Sequence, residues 1–323
     1  MKALFIFSAI IICLLGILEI GLRLVVGFGN PLTYNADSKI GYLLTPNQKV
    51  SRFGNRIRIN QYSMRSEPIE ESRENTILRI LLLGDSVANG NWWTDQDDTI
   101  SAIIEKQLNE NNGKDKTVEV LNASANSWGP RNELAYLEKF GLFDSQTIVL
   151  LINTDDLFAK APSSLVVGVD RNYPDKKPPF AIAEAIARYL LPAPKVPEIK
   201  EEGDRVGLNL AAIKKIQEIT NQKNAKFILA MTPLLREVGE PGPRDYEIKT
   251  RQRLENFTLA ENITYLDLLP IFKSVSEPAN LYRDHIHLSP EGNRVVSEKI
   301  SKSIIIPLRK RGNREQGTGN RKK

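Results

Sequence analysis

The chain has 323 residues, 41% of them hydrophobic and 26% charged, with a formal net charge of +5 and a sequence pI near 9.1. One cysteine, Cys13, excludes an internal disulfide framework, and two histidines, His285 and His287, leave few candidates for proton transfer near neutral pH. The basic balance is confined to the tail: Arg309 to Lys323 holds seven basic residues against one acid, a net of +6, which leaves −1 for the rest, so no nucleic-acid partner is expected.

From Ala3 to Leu18 no residue is charged; Glu19 and Arg23 then stand four apart, and Leu24-Val25-Val26 resumes the apolar run. At a rise of about 1.5 Å per residue, a helix from Ala3 to Phe28 can cross a hydrocarbon core of about 30 Å. Glu19 and Arg23 share a helix face and can neutralise each other near the interface. Lys2 and the apolar middle also suit a cleaved signal peptide, but no small-x-small site follows, and the reading is a retained single-pass anchor over residues 1–28. Cys13 lies inside it as a small apolar side chain, and Ile12 before it does not fit a lipoprotein signal. Residues 29–76 are polar, with little periodicity beyond Arg56-Ile57-Arg58-Ile59-Asn60. They predict a membrane-proximal linker carrying a short hairpin or strand that packs on the main domain.

Arg79-Ile80-Leu81-Leu82-Leu83 has the continuous apolar pattern of a parallel strand buried on both faces, and Gly84-Asp85-Ser86 is the turn that leaves it. Trp92 and Trp93 follow closely and either line a sugar groove or pack internally. Asp95, Asp97 and Asp98 lack a fixed ligand spacing and read as a solvated loop. Ile100, Ile103, Ile104 and Leu108 form a helical stripe within residues 99–111, and a strand follows at 118–121. Leu121 to Pro130 then runs Leu-Asn-Ala-Ser-Ala-Asn-Ser-Trp-Gly-Pro, opening a helix to Phe140 with proline early in it. The strand Gln146 to Ile152 leads into Asn153-Thr154-Asp155-Asp156.

Residues 158–202 interrupt this rhythm with seven prolines around the apolar stretch Phe180 to Leu191, and read either as a lid over the site or as a helix packed on the core. Helix, strand, helix and strand follow at 208–220, 226–231, 246–259 and 263–268, and a last helix starts at Pro290-Glu291 after Ser289 as N-cap. Alternation of this kind predicts a parallel sheet covered on both faces.

Just before that last helix lies Asp284-His285-Ile286-His287. Serine is a poor nucleophile at neutral pH; acyl transfer needs an imidazole to take its proton and a carboxylate to fix the imidazole's tautomer. Asp284 stands three residues before His287, so one tight turn brings its carboxylate to the second ring nitrogen. A strand-end serine is where open α/β sheets build sites. His285 beside His287 offers no metal site, since no further histidine or suitable cysteine completes a zinc set.

These blocks, in this order, resemble the SGNH or GDSL hydrolase superfamily, from roughly Ile77 to Ile305. Its first block is a Gly-Asp-Ser after the first strand and its last is Asp-x-x-His. The resemblance implies Ser86, Asp284 and His287 as the catalytic residues. Its second block usually offers a glycine amide to the oxyanion, and in this alignment Ser127 takes that place. Its third usually reads Gly-x-Asn-Asp, and Asp155 stands where the asparagine would. An ionised Asp155 would repel an oxyanion rather than donate to it. The candidate donors are therefore the amides of Ser86 and Ser127, with Asn126, Asn153 or a protonated Asp155 as a third.

The resemblance implies a flavodoxin-like, three-layer α/β/α sandwich around a central parallel sheet, placed at 77–307 after an N-terminal transmembrane helix, with 158–202 as an insertion or cap and 308–323 as a basic disordered tail. It implies a serine esterase facing out of the cytoplasm, without cofactor or metal. The expected substrate is an acylated, chiefly O-acetylated, cell-surface or secreted glycan, or a small ester. The alternatives are an O-acyltransferase, with a glycan hydroxyl as acceptor in place of water, and a glycan-binding module whose oxyanion hole Ser127 and Asp155 have disabled.

Overall fold

The computed structural model describes residues 1–111 and 117–316. In chain order the strands are β1 (Tyr34–Asp37), β2 (Gly41–Leu44), β3 (Lys49–Arg52), β4 (Asn55–Arg58), β5 (Ile77–Gly84), β6 (Thr117–Ser124), β7 (Thr147–Asn153), β8 (Lys226–Thr232) and β9 (Thr264–Asp267). The helices are α1 (Lys2–Gly21), α2 (Ser86–Asn89), α3 (Ile100–Asn111), α4 (Pro130–Phe140), α5 (Ala181–Tyr189), α6 (Arg205–Gln222), α7 (Leu235–Val238), α8 (Asp245–Ala260), α9 (Leu269–Lys273) and α10 (Pro290–Gln316).

The chain folds as two compact units. The larger comprises Glu70–Gly90, Asp97–Lys160 and Glu201 onward. Its five-stranded sheet is parallel throughout, in the order β6-β5-β7-β8-β9, which is the flavodoxin-like doubly wound arrangement. The near-continuous apolar runs explain it, because a strand such as β5 or β7 buries both faces. Ile80, Leu82, Val149, Leu151, Ile228 and Ala230 point to one side, against Ile100, Ile104, Phe272, Val296 and Ile300 of α3, α9 and α10. Leu81, Leu83, Leu150 and Leu229, also buried, take the other register, on the side where α4 and α6 pack on each other and on β5 and β8. The result is the expected α/β/α sandwich. Ser289 caps α10, its hydroxyl accepting from the Gly292 amide at 3.2 Å.

Arg79 inside β5 is an exception to the apolar pattern, at 2% exposure. Its guanidinium donates to the Glu119 carboxylate and to the carbonyls of Glu71 and Phe143, so the buried charge is paired and its donors are used.

The smaller unit comprises Met1–Ile69, Asn91–Gln96 and Ala161–Lys200. The segment 29–76, expected to be a polar linker with one short hairpin or strand packed on the main domain, holds more structure than that, and its part up to Ile69 belongs to this unit. Two antiparallel hairpins, β1 with β2 and β3 with β4, occupy the segment, and Tyr34, Ile40, Tyr42, Leu44, Ile57, Ile59 and Met64 are buried in it. Strands of four residues separated by turns are too short to register as periodicity. Most of the segment read as an insertion on the main domain joins the same unit: Tyr173 stacks against Tyr34 and Tyr42, each at 5.1 Å between ring centroids, and the Tyr34 amide donates to the Pro174 carbonyl at 2.8 Å. Trp92 packs on Phe53 at 5.0 Å and on Trp93 at 5.3 Å, and Asp95 pairs with Arg56.

At the other end, α10 runs to Gln316, so residues 308–316, read as part of a disordered tail, are helical. Arg, Lys, Glu and Gln are good helix formers, and extending an existing helix avoids the cost of nucleation. Residues 317–323 of that tail lie outside the described residues.

Candidate active site

The strand order reverses at β5, and the carboxyl ends of β5 and β7 lie side by side, Gly84 opposite Leu151. Both strands release a turn there. After β5 the backbone bends sharply through Gly84-Asp85-Ser86; a Cβ on Gly84 would stand 2.7 Å from the Leu151 carbonyl oxygen and 2.7 Å from the Ala88 Cβ, which is why glycine occupies the first position of the block. Asp85 is the N-cap of α2, its Oδ1 accepting from the Val87 amide at 2.8 Å. Ser86 opens that helical turn and is 8% exposed.

The loop before α10 is closed by the Tyr282–Leu288 bridge and by the Arg283 amide donating to the His287 carbonyl at 2.8 Å. Within it, Asp284 Oδ1 accepts from the amides of Ile286 at 3.0 Å and His287 at 2.9 Å. Asp284 Oδ2 lies 2.8 Å from His287 Nδ1, and His287 Nε2 lies 2.9 Å from Ser86 Oγ. Asp284 thus favours the tautomer with its proton on Nδ1, leaving Nε2 to accept from the serine hydroxyl. Burial pushes the Asp284 carboxyl up, but the two amides and the imidazole outweigh it, and the net shift is downward. Hydroxyl, imidazole and carboxylate form one line at distances suited to proton transfer. His285 is largely exposed, with Nδ1 3.9 Å from Asp284.

The candidate oxyanion donors divide. Ser127 is exposed, with φ +56°, in the left-handed region that glycine enters without cost; its backbone conformation is therefore the one a glycine would be chosen for. Asn126 before it is half-buried. Asn153 is fully buried, and its amide serves another purpose: Nδ2 donates to Asp85 Oδ2 at 2.9 Å and to Asp156 Oδ2 at 2.9 Å, while Oδ1 accepts from the Asp155 amide at 2.8 Å. An NH₂ group has two hydrogens, so the expectation of Asn153 as an oxyanion donor is corrected. Asp155 is 49% exposed and stands 3.9 Å from Arg236. Burial still raises its carboxyl, against the opposing pull of Arg236.

Beneath the serine turn lies a set of carboxylates that the sequence reading did not single out. Burial pushes Asp85 up to about 6. Glu133, on α4, is fully buried, and neither of its carboxyl oxygens has a hydrogen-bond partner among the described residues. Burial, reinforced by Asp85, moves it well above the ordinary carboxylate range, and Asp156 is raised likewise by burial, Asp85 and Glu133. Asp85 could have been noticed as part of its own motif; nothing in the pattern of α4 marks Glu133.

Beside Asp155 opens a cavity of about 450 Å³ lined by Asp155, Phe158, Arg205 and Tyr246. The Phe158 and Tyr246 rings meet edge to face at 5.3 Å. Arg205 is held by its bond to the Phe158 carbonyl at 3.3 Å, and the Tyr246 hydroxyl accepts from Arg244 at 2.8 Å.

Residues 82–295 match the model of the GDSL-like lipase/acylhydrolase family. No curated protein matches the chain. Solved structures similar to it include a lipolytic protein of the G-D-S-L family from Desulfitobacterium hafniense DCB-2, at 14% identity and a TM-score of 0.45, covering 70% of this chain and 98% of that one. A lipase/acylhydrolase from Enterococcus faecalis has 15% identity and a TM-score of 0.43, covering 70% and 94%. An acetylxylan esterase from Geobacillus stearothermophilus has 14% identity and a TM-score of 0.45, covering 70% and 93%. The match begins two residues before Gly84, reaches past His287 and takes in well over half of the sequence: this chain belongs to the GDSL-like lipase/acylhydrolase family.

Proposed function

We propose that the protein is a membrane-anchored serine esterase that removes acyl, chiefly O-acetyl, groups from glycans outside the cytoplasm. The observation that carries this reading is the unbroken hydrogen-bonded line Ser86, His287, Asp284. Ser86 Oγ attacks the ester carbonyl as its proton passes to His287 Nε2; the imidazolium, stabilised by Asp284, then protonates the departing alcohol oxygen. Water repeats the sequence on the acyl-serine, giving a carboxylic acid and free Ser86. The amides of Ser86, at the start of α2, and of Ser127 are assigned to the oxyanion. The working domain is the unit built on the parallel sheet, within residues 77–307, with 161–200 lying outside it.

The cavity beside Asp155 supports a saccharide in preference to a long acyl chain. Its charged walls disfavour a methylene chain, whereas two aromatic rings, a carboxylate and a guanidinium suit the C–H faces and hydroxyls of a pyranose. The apolar helix Lys2–Val26, long enough to cross a membrane, supports tethering of the domain.

The test uses the full-length chain in detergent, treated with a fluorophosphonate probe and with p-nitrophenyl acetate beside Ser86→Ala. Labelling and acetate release that both vanish in the alanine variant are expected. A folded wild-type chain that neither labels nor hydrolyses would sink the reading.

A further inference from the structure

Helix α5 is built the wrong way round for a helix in water. Its inward side carries Glu184, 6% exposed, whose carboxylate receives the Gly29 amide at 2.7 Å, the Arg188 guanidinium at 2.8 Å, and Arg52. Its outward side carries Ile186, Tyr189 and Leu190, extended by Phe180 before the helix and Leu191 after it, and all five are exposed, Leu190 to 76%. A surface helix in water turns its apolar stripe inward and its charges out. Here the ion pairs take the inside and the apolar side chains are left outside.

The same helix is joined to the hydrophobic segment. The Glu19 carboxylate of α1 accepts from the first amides of α5, Ala181 at 2.8 Å and Ile182 at 3.0 Å, filling the N-terminal position where a helix needs an acceptor and favours negative charge. Arg23 pairs with Glu19 and donates to the Pro179 carbonyl at 2.8 Å. Phe28, buried, lies 6.1 Å from the Tyr189 ring. Leu24 and Val25 beside these contacts are exposed. Loss of α1 by cleavage would remove the cap of α5 and leave its first amides unpaired.

We infer that α1 is retained in the mature protein and that α5, with Phe180 and Leu191, lies in the headgroup region of the bilayer that α1 enters, so that span and in-plane helix form one membrane-seated elbow. The occupant of the apolar face is lipid: the face continues the exposed surface of α1, and a helix with apolar side chains on one side, flanked by a tyrosine and an arginine, suits the interface. The inference rests on the anchored reading of α1 and is independent of any chemistry at Ser86.

Two measurements on the full chain test it. The mass of the protein extracted from membranes is expected to include Lys2–Val26; a mature chain starting beyond Gly29 overturns the inference. In a Cys13→Ser background, an environment-sensitive NBD dye is placed at Leu190→Cys and the protein is reconstituted into phosphatidylcholine/phosphatidylglycerol vesicles. A blue-shifted emission, and about a twofold loss of it when the lipid carries a spin label near the headgroup, is expected for an interfacial position. Emission at the value seen in water, unquenched by labelled lipid, overturns the inference while leaving Ser86 labelling by fluorophosphonate unaffected as a separate readout.

Discussion

Asn153 Nδ2 donates to Asp85 Oδ2 at 2.9 Å, across the gap between the ends of β7 and β5. The residue that positions the turn before the nucleophile is thereby held by the strand next to it.

Replacing Asn153 with alanine removes donors from two buried carboxylates at once. An unsatisfied buried polar group costs about 1–3 kcal/mol, so Asn153→Ala is expected to lose stability on that order in urea denaturation. The same variant is expected to slow acetyl-ester turnover, through displacement of the Ser86 turn. Asn153→Asp adds a further acid to the cluster and is expected to be worse on both counts.

The cluster also sets a pH dependence. The folded chain holds Asp85 at about 6 against an ordinary value of 3.8, so folding favours its protonated form. Its contribution is fully present below the unfolded value and is lost as the pH rises through about 6, to a maximum of about 3 kcal/mol for two pKa units. The wild-type melting temperature is expected to fall between about pH 4 and 6.5 on this account and to level off above that range. Asp85→Asn, which keeps a capping side chain, is expected to flatten that slope. Glu133→Leu, removing a buried carboxyl without a partner, is expected to raise stability at neutral pH by about 1–2 kcal/mol.

Ser127 holds a backbone angle that a side chain resists. Ser127→Gly is expected to gain about 0.5–1 kcal/mol, after the entropy of a freer unfolded chain is counted. A valine there meets the full left-handed penalty and moves the amide assigned to the oxyanion; Ser127→Val should lose both stability, read from the melting temperature, and kcat.

Asp284 is oriented by two amides that an asparagine oxygen could still accept, while its charge faces the imidazole. Asp284→Asn is expected to fold normally and to lower kcat by about 10³–10⁴, since the amide favours the wrong imidazole tautomer. Steady-state kinetics beside a circular dichroism melt would separate the two effects.

On the proposed reading the cavity beside Asp155 receives the sugar, and this can be tested by comparing substrates. Arg205→Gln and Tyr246→Ala are expected to raise KM for mono-O-acetylated hexoses by about tenfold, the worth of one good polar contact, and to change it less for p-nitrophenyl acetate. Equal changes on both substrates would remove the cavity from the substrate site.

Strands β5, β7 and β8 were legible in the sequence because each is largely a buried run of apolar residues with little else to be, the Gly84-Asp85-Ser86 block announced the turn at the end of β5, and the Asp284/His287 block marked the loop before α10. Asn153 was misread because sequence gives its position at the end of β7 but not the carboxylates that claim its hydrogens. The small unit was illegible for a different reason: its core is assembled from Tyr34, Tyr42 and Tyr173, residues separated by up to 139 positions, each in a segment that reads as loop on its own. Glu133 could not have been flagged, since a glutamate in an amphipathic helix is ordinarily solvated and its burial depends on which face α4 turns to the sheet.

The bond between Ser86 and His287 joins positions 201 apart, and the imidazole arrives immediately before the final helix. A growing polypeptide can complete all five strands of its parallel sheet while still holding no base for its nucleophile. Proton transfer from Ser86 therefore has to wait until the polypeptide has been made past residue 287.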